Sequence, residues 1–244
     1  MNDRAHKQTL IDNPYGYKVL IVISMLYMSI MLCNAILTNR YIGSDALFVL
    51  GGTFTSPFVF ILDDIIAEIY GYKITQSVIL AGFMAQIIFV IICQLALMAP
   101  HPSFFTEQES YNYVLGLSLL RISISGFLAY IIANLANSYI LCRRKILLKG
   151  RYFWLRSLGA STFSEALYSI LAIVMMEIAS IPLKSILQVV AISFSIKAIY
   201  SILLALPANF LVNYLKNLTG IDVYDFPKQF TPFKYSRENQ EPVI

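Results

Sequence analysis

Six apolar stretches, at residues 19–38, 48–69, 74–98, 114–141, 155–178 and 186–215, take up most of this 244-residue chain. Each matches or exceeds the roughly 20 residues that a helix needs to cross a hydrocarbon core about 30 Å thick. Backbone polar groups find no water there, so only a helix or a closed barrel can span it, and runs this long and apolar read as helices. Composition agrees: 58% of the residues are hydrophobic, 13% are charged, and the mean hydropathy of +0.68 is far from that of a soluble domain. The expected fold is an all-α integral membrane protein, a bundle of six transmembrane helices. A polar segment at 1–18 precedes the six-helix domain at 19–215, and a polar tail at 216–244 follows it.

Charge between the helices sets the orientation. Segment 142–156 carries Arg143, Arg144, Lys145, Lys149, Arg151 and Arg156 without an acid, whereas 99–113 carries Glu107 and Glu109 without a Lys or Arg. By the positive-inside rule the first is cytoplasmic and the second external, which puts both the N- and C-termini in the cytoplasm. Arg4, Lys7 and Lys18 before the first helix agree. Tyr15, Tyr17, Tyr70, Tyr72, Tyr111, Tyr113 and Tyr152-Phe153-Trp154 then fall at the interfaces where aromatic belts form. The net charge of +4 therefore reads as topology and not as a nucleic-acid surface. No small-residue cleavage site follows the first apolar run before Arg40, so this run is expected to stay as a helix and not to be removed as a leader. Cys33, Cys93 and Cys142 show no paired spacing and read as packing residues. There is no nucleotide-binding Gly-rich loop, no zinc-binding His pair on a helix and no nucleophile elbow, and His6 and His101 both lie outside the spans. Neither enzymatic activity nor a cofactor or metal is expected.

Inside the spans stand Asp63, Asp64, Arg121, Glu165 and Lys197. A charge near the bilayer centre costs a few kcal/mol or more, so such residues face a bundle interior or a wet cavity and mark a substrate route. Asp64 and Glu68, four apart, share one helical face. Asp63 and Glu68 read equally well as the inner helix terminus. Arg121 either pairs with an acid across the bundle or snorkels to the external interface. Asn134 and Asn137 either line a site or bond neighbouring helices. Glu165 and Lys197 each lie about ten residues from a membrane boundary, hence at one depth, which predicts an ion pair. Gly51-Gly52 and Pro57 predict a broken or kinked second helix, Pro207 a kink in the sixth, and Asn34 offers a polar contact at the outer end of the first. Three functions fit this pattern: a carrier; a substrate-binding membrane subunit that needs a separate energising ATPase; and an enzyme acting on lipids. The last needs a second acid cluster to hold metal, and the chain has none.

Asn34, Pro57-Phe58-x-Phe60, Asp64-x-x-x-Glu68-x-Tyr70-Gly71-Tyr72-Lys73, Arg121-x-x-x-Ser125 with Ala129-Tyr130, Trp154-Leu155-Arg156 before Ser161-Thr162-x-Ser164, and Lys197 with Pro207 occur in that order. Together they resemble the queuosine precursor transporter family, also called the vitamin uptake transporter family, over residues 19–215. The resemblance implies a multi-pass carrier of the cell inner membrane that imports the cyano or aminomethyl 7-deazaguanine precursor of queuosine. Its partners would be that purine-like base and the lipid bilayer, with no nucleic acid; whether it forms a homo-oligomer is left open. The substrate site would comprise Asn34, Phe60, Asp64, Glu68, Arg121, Tyr130, Asn134, Asn137, Glu165 and Lys197, with Phe60 or Tyr130 stacking on the base. The chain departs from the family pattern in two segments. Typical members have a Gln and then an Asp where this chain has Asn134 and Asn137. They have Ser-Gln-x-x-Asp-Thr where this chain has Ser164-Glu165, two intervening residues, and Tyr168-Ser169.

Overall fold

A computed structural model describes residues 14–45, 47–178 and 180–224. The helices are α1 (Pro14–Leu37), α2 (Gly52–Tyr70), α3 (Tyr72–Met98), the short α4 (Gln108–Leu115), α5 (Leu117–Leu147), α6 (Phe153–Glu177) and α7 (Leu183–Thr219). Between α1 and α2 an antiparallel hairpin pairs β1 (Tyr41–Gly43) with β2 (Phe48–Leu50) in the register Tyr41↔Leu50. Of the predicted terminal segments, 1–13 with Arg4, His6 and Lys7, and 225–244, lie outside the described residues.

Five of the long helices are long and apolar enough to cross a bilayer by themselves. The sixth, α2, is about 28 Å long at 1.5 Å per residue, which spans the core, but it carries three acids. Its surroundings account for it: every residue from Asp63 to Tyr70 is buried, and α2 packs against α1, α3, α5, α6 and α7. The outer helices instead show lipid-type side chains to the exterior, such as Met84, Ile88 and Leu95 on α3 and Ile202, Leu206 and Phe210 on α7. Two glycines make this nesting geometrically feasible. Gly71, at φ +83°, is the lone residue between α2 and α3. At Gly52 a Cβ would fall 2.0 Å from the Thr38 hydroxyl, so only glycine lets α2 approach α1 this closely.

Boundaries differ from expectation where local chemistry overrides hydropathy. The second apolar run begins as strand β2 and turns helical only at Gly52, and the hairpin closes through Gly51 N–H donating to the Arg40 carbonyl at 2.7 Å. The fourth run is divided by Gly116, and α5 continues to Leu147, so the basic stretch 142–156 is largely helical with a connection of only 148–152. Pro57 does not break α2; it lies in the second turn, where its missing N–H leaves only the Thr53 carbonyl without an intrahelical donor. Likewise α7 runs through Pro207 to Thr219, beyond the predicted end at 215.

Both ends of the described chain lie at the basic end of the bundle. The Tyr70 hydroxyl donates to the Gly16 carbonyl at 2.7 Å, and Val223 N–H donates to the Ile69 carbonyl at 3.1 Å. A charge cluster fastens this end. Arg156 binds Glu68 through both terminal nitrogens, at 2.8 and 3.0 Å, and Lys216 adds a bond of 2.7 Å. Lys145 reaches Asp222 at 2.6 Å and lies 3.8 Å from Glu68. Partial burial pushes the Asp222 carboxyl up, but the neighbouring Lys145 and Lys216 outweigh it and hold the group below its ordinary range. Removing one member of a buried ion cluster strands the others, typically at a cost of about 3–5 kcal/mol. Glu68→Gln should therefore lower the unfolding temperature of the detergent-solubilised protein by roughly 10 °C. An unchanged temperature would mean that the cluster contributes nothing to stability.

Candidate functional site

Halfway along the bundle, polar side chains from α2, α5, α6 and α7 converge. Asp63 and Asp64 point to different sides of α2 because successive helical residues are about 100° apart. One Asp63 oxygen accepts from the Tyr130 hydroxyl at 2.8 Å and from the Asn134 amide, both on α5, and Tyr130 also bonds the Tyr27 hydroxyl of α1 at 2.6 Å. Asp64 accepts from Asn137 at 2.5 Å and, across to α6, from Ser157 and from Ser161 at 2.7 Å. One turn further along α6, Glu165 accepts from Ser201 of α7 at 2.9 Å. Lys197 of α7 donates to Ser169 at 3.0 Å, and its ammonium stands 4.7 Å from the centre of the Tyr168 ring.

Beside this layer three rings pack together, tilted or edge to face. The centroids of Phe60 and Tyr130 are 5.7 Å apart, those of Phe60 and Tyr168 5.9 Å, and those of Tyr130 and Tyr168 6.1 Å. Tyr130 and Tyr168 border a cavity of about 30 Å³ that Asn34, Ser56 and Gln86 also line. A second cavity of about 10 Å³ lies between Ser157, Ser161, Glu165 and Ser201. The first holds a water or two and the second at most one. Four buried acceptor oxygens in this region, Oδ1 of Asp63, Asn134 and Asn137 and Oε1 of Glu165, have no hydrogen-bond partner among the described residues. A buried polar atom left unpaired costs about 1–3 kcal/mol, so these oxygens define where a donor-bearing ligand gains most.

Eight of the residues expected in the site thus surround one interior region: Asn34, Phe60, Asp64, Tyr130, Asn134, Asn137, Glu165 and Lys197. Glu68 and Arg121 stand apart. Glu68 belongs to the charge cluster at the basic end. Arg121 is exposed and donates to the Ser180 hydroxyl at the opposite end, 2.5 Å away, which matches the snorkelling alternative. Beside it, Tyr41 of the hairpin donates to Glu177 at 2.9 Å; burial, followed by this bond, pushes the Tyr41 hydroxyl up to about 12, so it remains a donor at neutral pH. The expected Glu165–Lys197 ion pair does not form among the described residues, since each binds a serine of the other's helix. Sequence reasoning did not single out Tyr27, Gln86 or Ser157, and it left Asp63 equally readable as the inner helix terminus. Gln86 was the most legible of these, an amide near the middle of the third apolar run, between Gln76 and Gln94. No three His, Cys, Asp or Glu side chains gather as a metal site among the described residues.

Lipid-facing helices around a polar interior layer define a multi-pass integral membrane protein. The family model described as "Putative vitamin uptake transporter" matches residues 50–212, and the chain belongs to that family. The matched residues include Asp63, Asp64, Asn134, Asn137, Glu165 and Lys197. No curated protein and no solved structure gives a significant match. A transporter family is consistent with the absence of catalytic motifs in the sequence.

The Tyr130 hydroxyl is the hinge of the polar layer, because it serves Tyr27 and Asp63 at once. Tyr130→Phe should cost about 1–3 kcal/mol by stranding the Tyr27 hydroxyl and leaving that Asp63 oxygen to Asn134 alone, and Tyr27→Phe less, since Tyr130 still reaches Asp63. Thermal unfolding of the two variants in detergent tests the order, and equal losses would contradict it.

Proposed function

We propose that the chain imports a flat nitrogen heterocycle of the 7-deazaguanine type, a queuosine precursor, and binds it between the aromatic triangle and the polar layer. The observation that carries this reading is the combination of three rings clustered tilted or edge to face with four unpaired buried acceptor oxygens. A guanine-like edge presents adjacent N–H donors, and a carboxylate accepts such a pair readily. Asp63 and Glu165 supply the carboxylate oxygens, Asn134 and Asn137 the neutral ones, and Phe60, Tyr130 or Tyr168 the stacking face.

The cavities of about 30 and 10 Å³ are far below the ~300 Å³ of a typical small-molecule pocket, so binding on this reading requires the helices to part. The natural seam lies around α2, which is bonded to its neighbours through polar contacts that a ligand can replace. The same reading places the protein in the cell inner membrane with both termini cytoplasmic. Lys145, Arg151, Arg156 and Lys216 all gather at the end where the described chain starts and stops, which supports it.

Uptake of radiolabelled 7-aminomethyl-7-deazaguanine into liposomes that contain only this protein tests the proposal. Saturable uptake is expected, and Asp63→Asn and Glu165→Gln, at matched incorporation, should each reduce it roughly tenfold or more, the usual scale of a lost charge-assisted hydrogen bond. High-affinity binding without uptake would instead indicate a subunit that depends on a separate ATPase. Neither binding nor uptake of 7-deazaguanines would exclude this substrate class.

A further inference from the structure

A third cavity, larger than the two interior ones, lies outside the polar layer. It has a volume of about 420 Å³ and lies at the basic end, between the first turn of α6 and the last three turns of α7. That is within the roughly 300–1,000 Å³ range of small-molecule sites, unlike the two interior cavities. We infer that this cavity, bounded by Arg151, Trp154, Asn209, Asn213 and Lys216, binds the phosphate headgroup of an anionic membrane lipid.

Charge comes first. Four cations, Lys145, Arg156, Lys216 and Arg151, gather here against two carboxylates, Glu68 and Asp222. Glu68 faces the cavity but is engaged by Arg156, Lys216 and Lys145, so it does not repel an anion. The exposed Arg151 carries a guanidinium suited to bidentate phosphate binding. Against the upward push of its partial burial, Lys145 and Lys216 hold the Asp222 carboxyl below its ordinary range, as the same positive field requires. Asn209 and Asn213, four apart on α7, present amide donors from one face, with Lys216 one turn further along.

Position identifies the source of the phosphate. The lining residues adjoin exposed apolar and aromatic side chains: Tyr152 and Leu155 flank α6's first turn, and Phe210 and Tyr214 follow Asn209 and Asn213 on α7. Tyr and Trp in this arrangement mark the level where headgroups meet hydrocarbon. A ligand with a phosphate head and apolar tails fits both halves of the surface, and basic pockets between helices at this depth recognise lipid headgroups.

Trp154 is the chain's one tryptophan and it lines the cavity, so its emission reports binding directly. The full chain in neutral detergent is titrated with mixed micelles of phosphatidylglycerol or of phosphatidylcholine, and separately with inorganic phosphate. A saturable change with phosphatidylglycerol alone is expected. Arg151→Gln should weaken it roughly tenfold, the loss of one charge-assisted contact pair. Asn213→Leu, at an exposed position, should weaken it less, and unchanged unfolding temperatures would confirm that both variants are folded. Equal responses to the two lipids, or wild-type affinity in Arg151→Gln, overturn the site. Saturation by inorganic phosphate at concentrations where phosphatidylglycerol adds nothing overturns the lipid as its source.

Discussion

Three carboxylates on the buried stretch of α2 from Asp63 to Tyr70 are the constraint around which this bundle is organised. Burying a carboxylate without partners costs several kcal/mol, and the cost is met here by assigning each acid to different neighbours. Asp63 is bound from α5 and, through Tyr130, from α1. Asp64 is bound from α5 and α6, and Glu68 from α6, α7 and the end of α5. Lipid tails supply no hydrophobic drive for helices to associate, so polar contacts of this kind determine which helix sits where. The central position of α2 follows from its acids, although the same acids make it the helix least able to face lipid.

The two ends of the molecule are fastened by different chemistry. At the basic end full charges meet, with Arg156 forked onto Glu68. At the other end single hydrogen bonds join Tyr41 to Glu177 and Arg121 to Ser180, supported by Asn39 donating to the Tyr113 carbonyl at 2.8 Å. Bonds of the second kind each have an exposed or half-exposed donor, although Glu177 itself is buried, and such donors exchange readily with water. The aromatic triangle and the cavity beneath Asn34 lie nearer to this weaker end. The structure is thus closed on both sides of its polar layer, with unequal locks.

The helices were legible in the sequence because their length is set by bilayer thickness, which hydropathy measures directly. The strand at Phe48-Val49-Leu50 was not, because three apolar residues ahead of a helix look the same as its first turn. Depth along a helix was also readable, which is why Asp64, Glu165 and Lys197 were found. Direction was not: Arg121 and Arg156 have side chains long enough to carry their charge a full turn from the backbone, one outward to Ser180 and the other onto Glu68. Asp63 was visible as an intramembrane acid but stayed outside the expected site for a related reason. Adjacent acids point to opposite sides of a helix, and one of them is ordinarily expected to face away from the core; on α2 there is protein on both sides.

The departures from the family pattern become intelligible as a coupled set. An acid at position 137, as typical members carry, would bring a second carboxylate against Asp64, whereas Asn137 donates to it. An acid at position 168 would stand beside Lys197; here Tyr168 offers the face of its ring to that ammonium, and the negative charge appears instead at Glu165, nearly one turn earlier on α6. Lys197 therefore keeps a compensating environment while the acid moves toward Ser161 and Ser201, beside the second cavity. The net effect is to transfer charge from the aromatic triangle to the α6–α7 seam. A ring that stacks in the triangle would then meet a more apolar wall at 168 and a stronger acceptor at 165, which favours a ligand whose donors lie at one edge of a flat, otherwise apolar body.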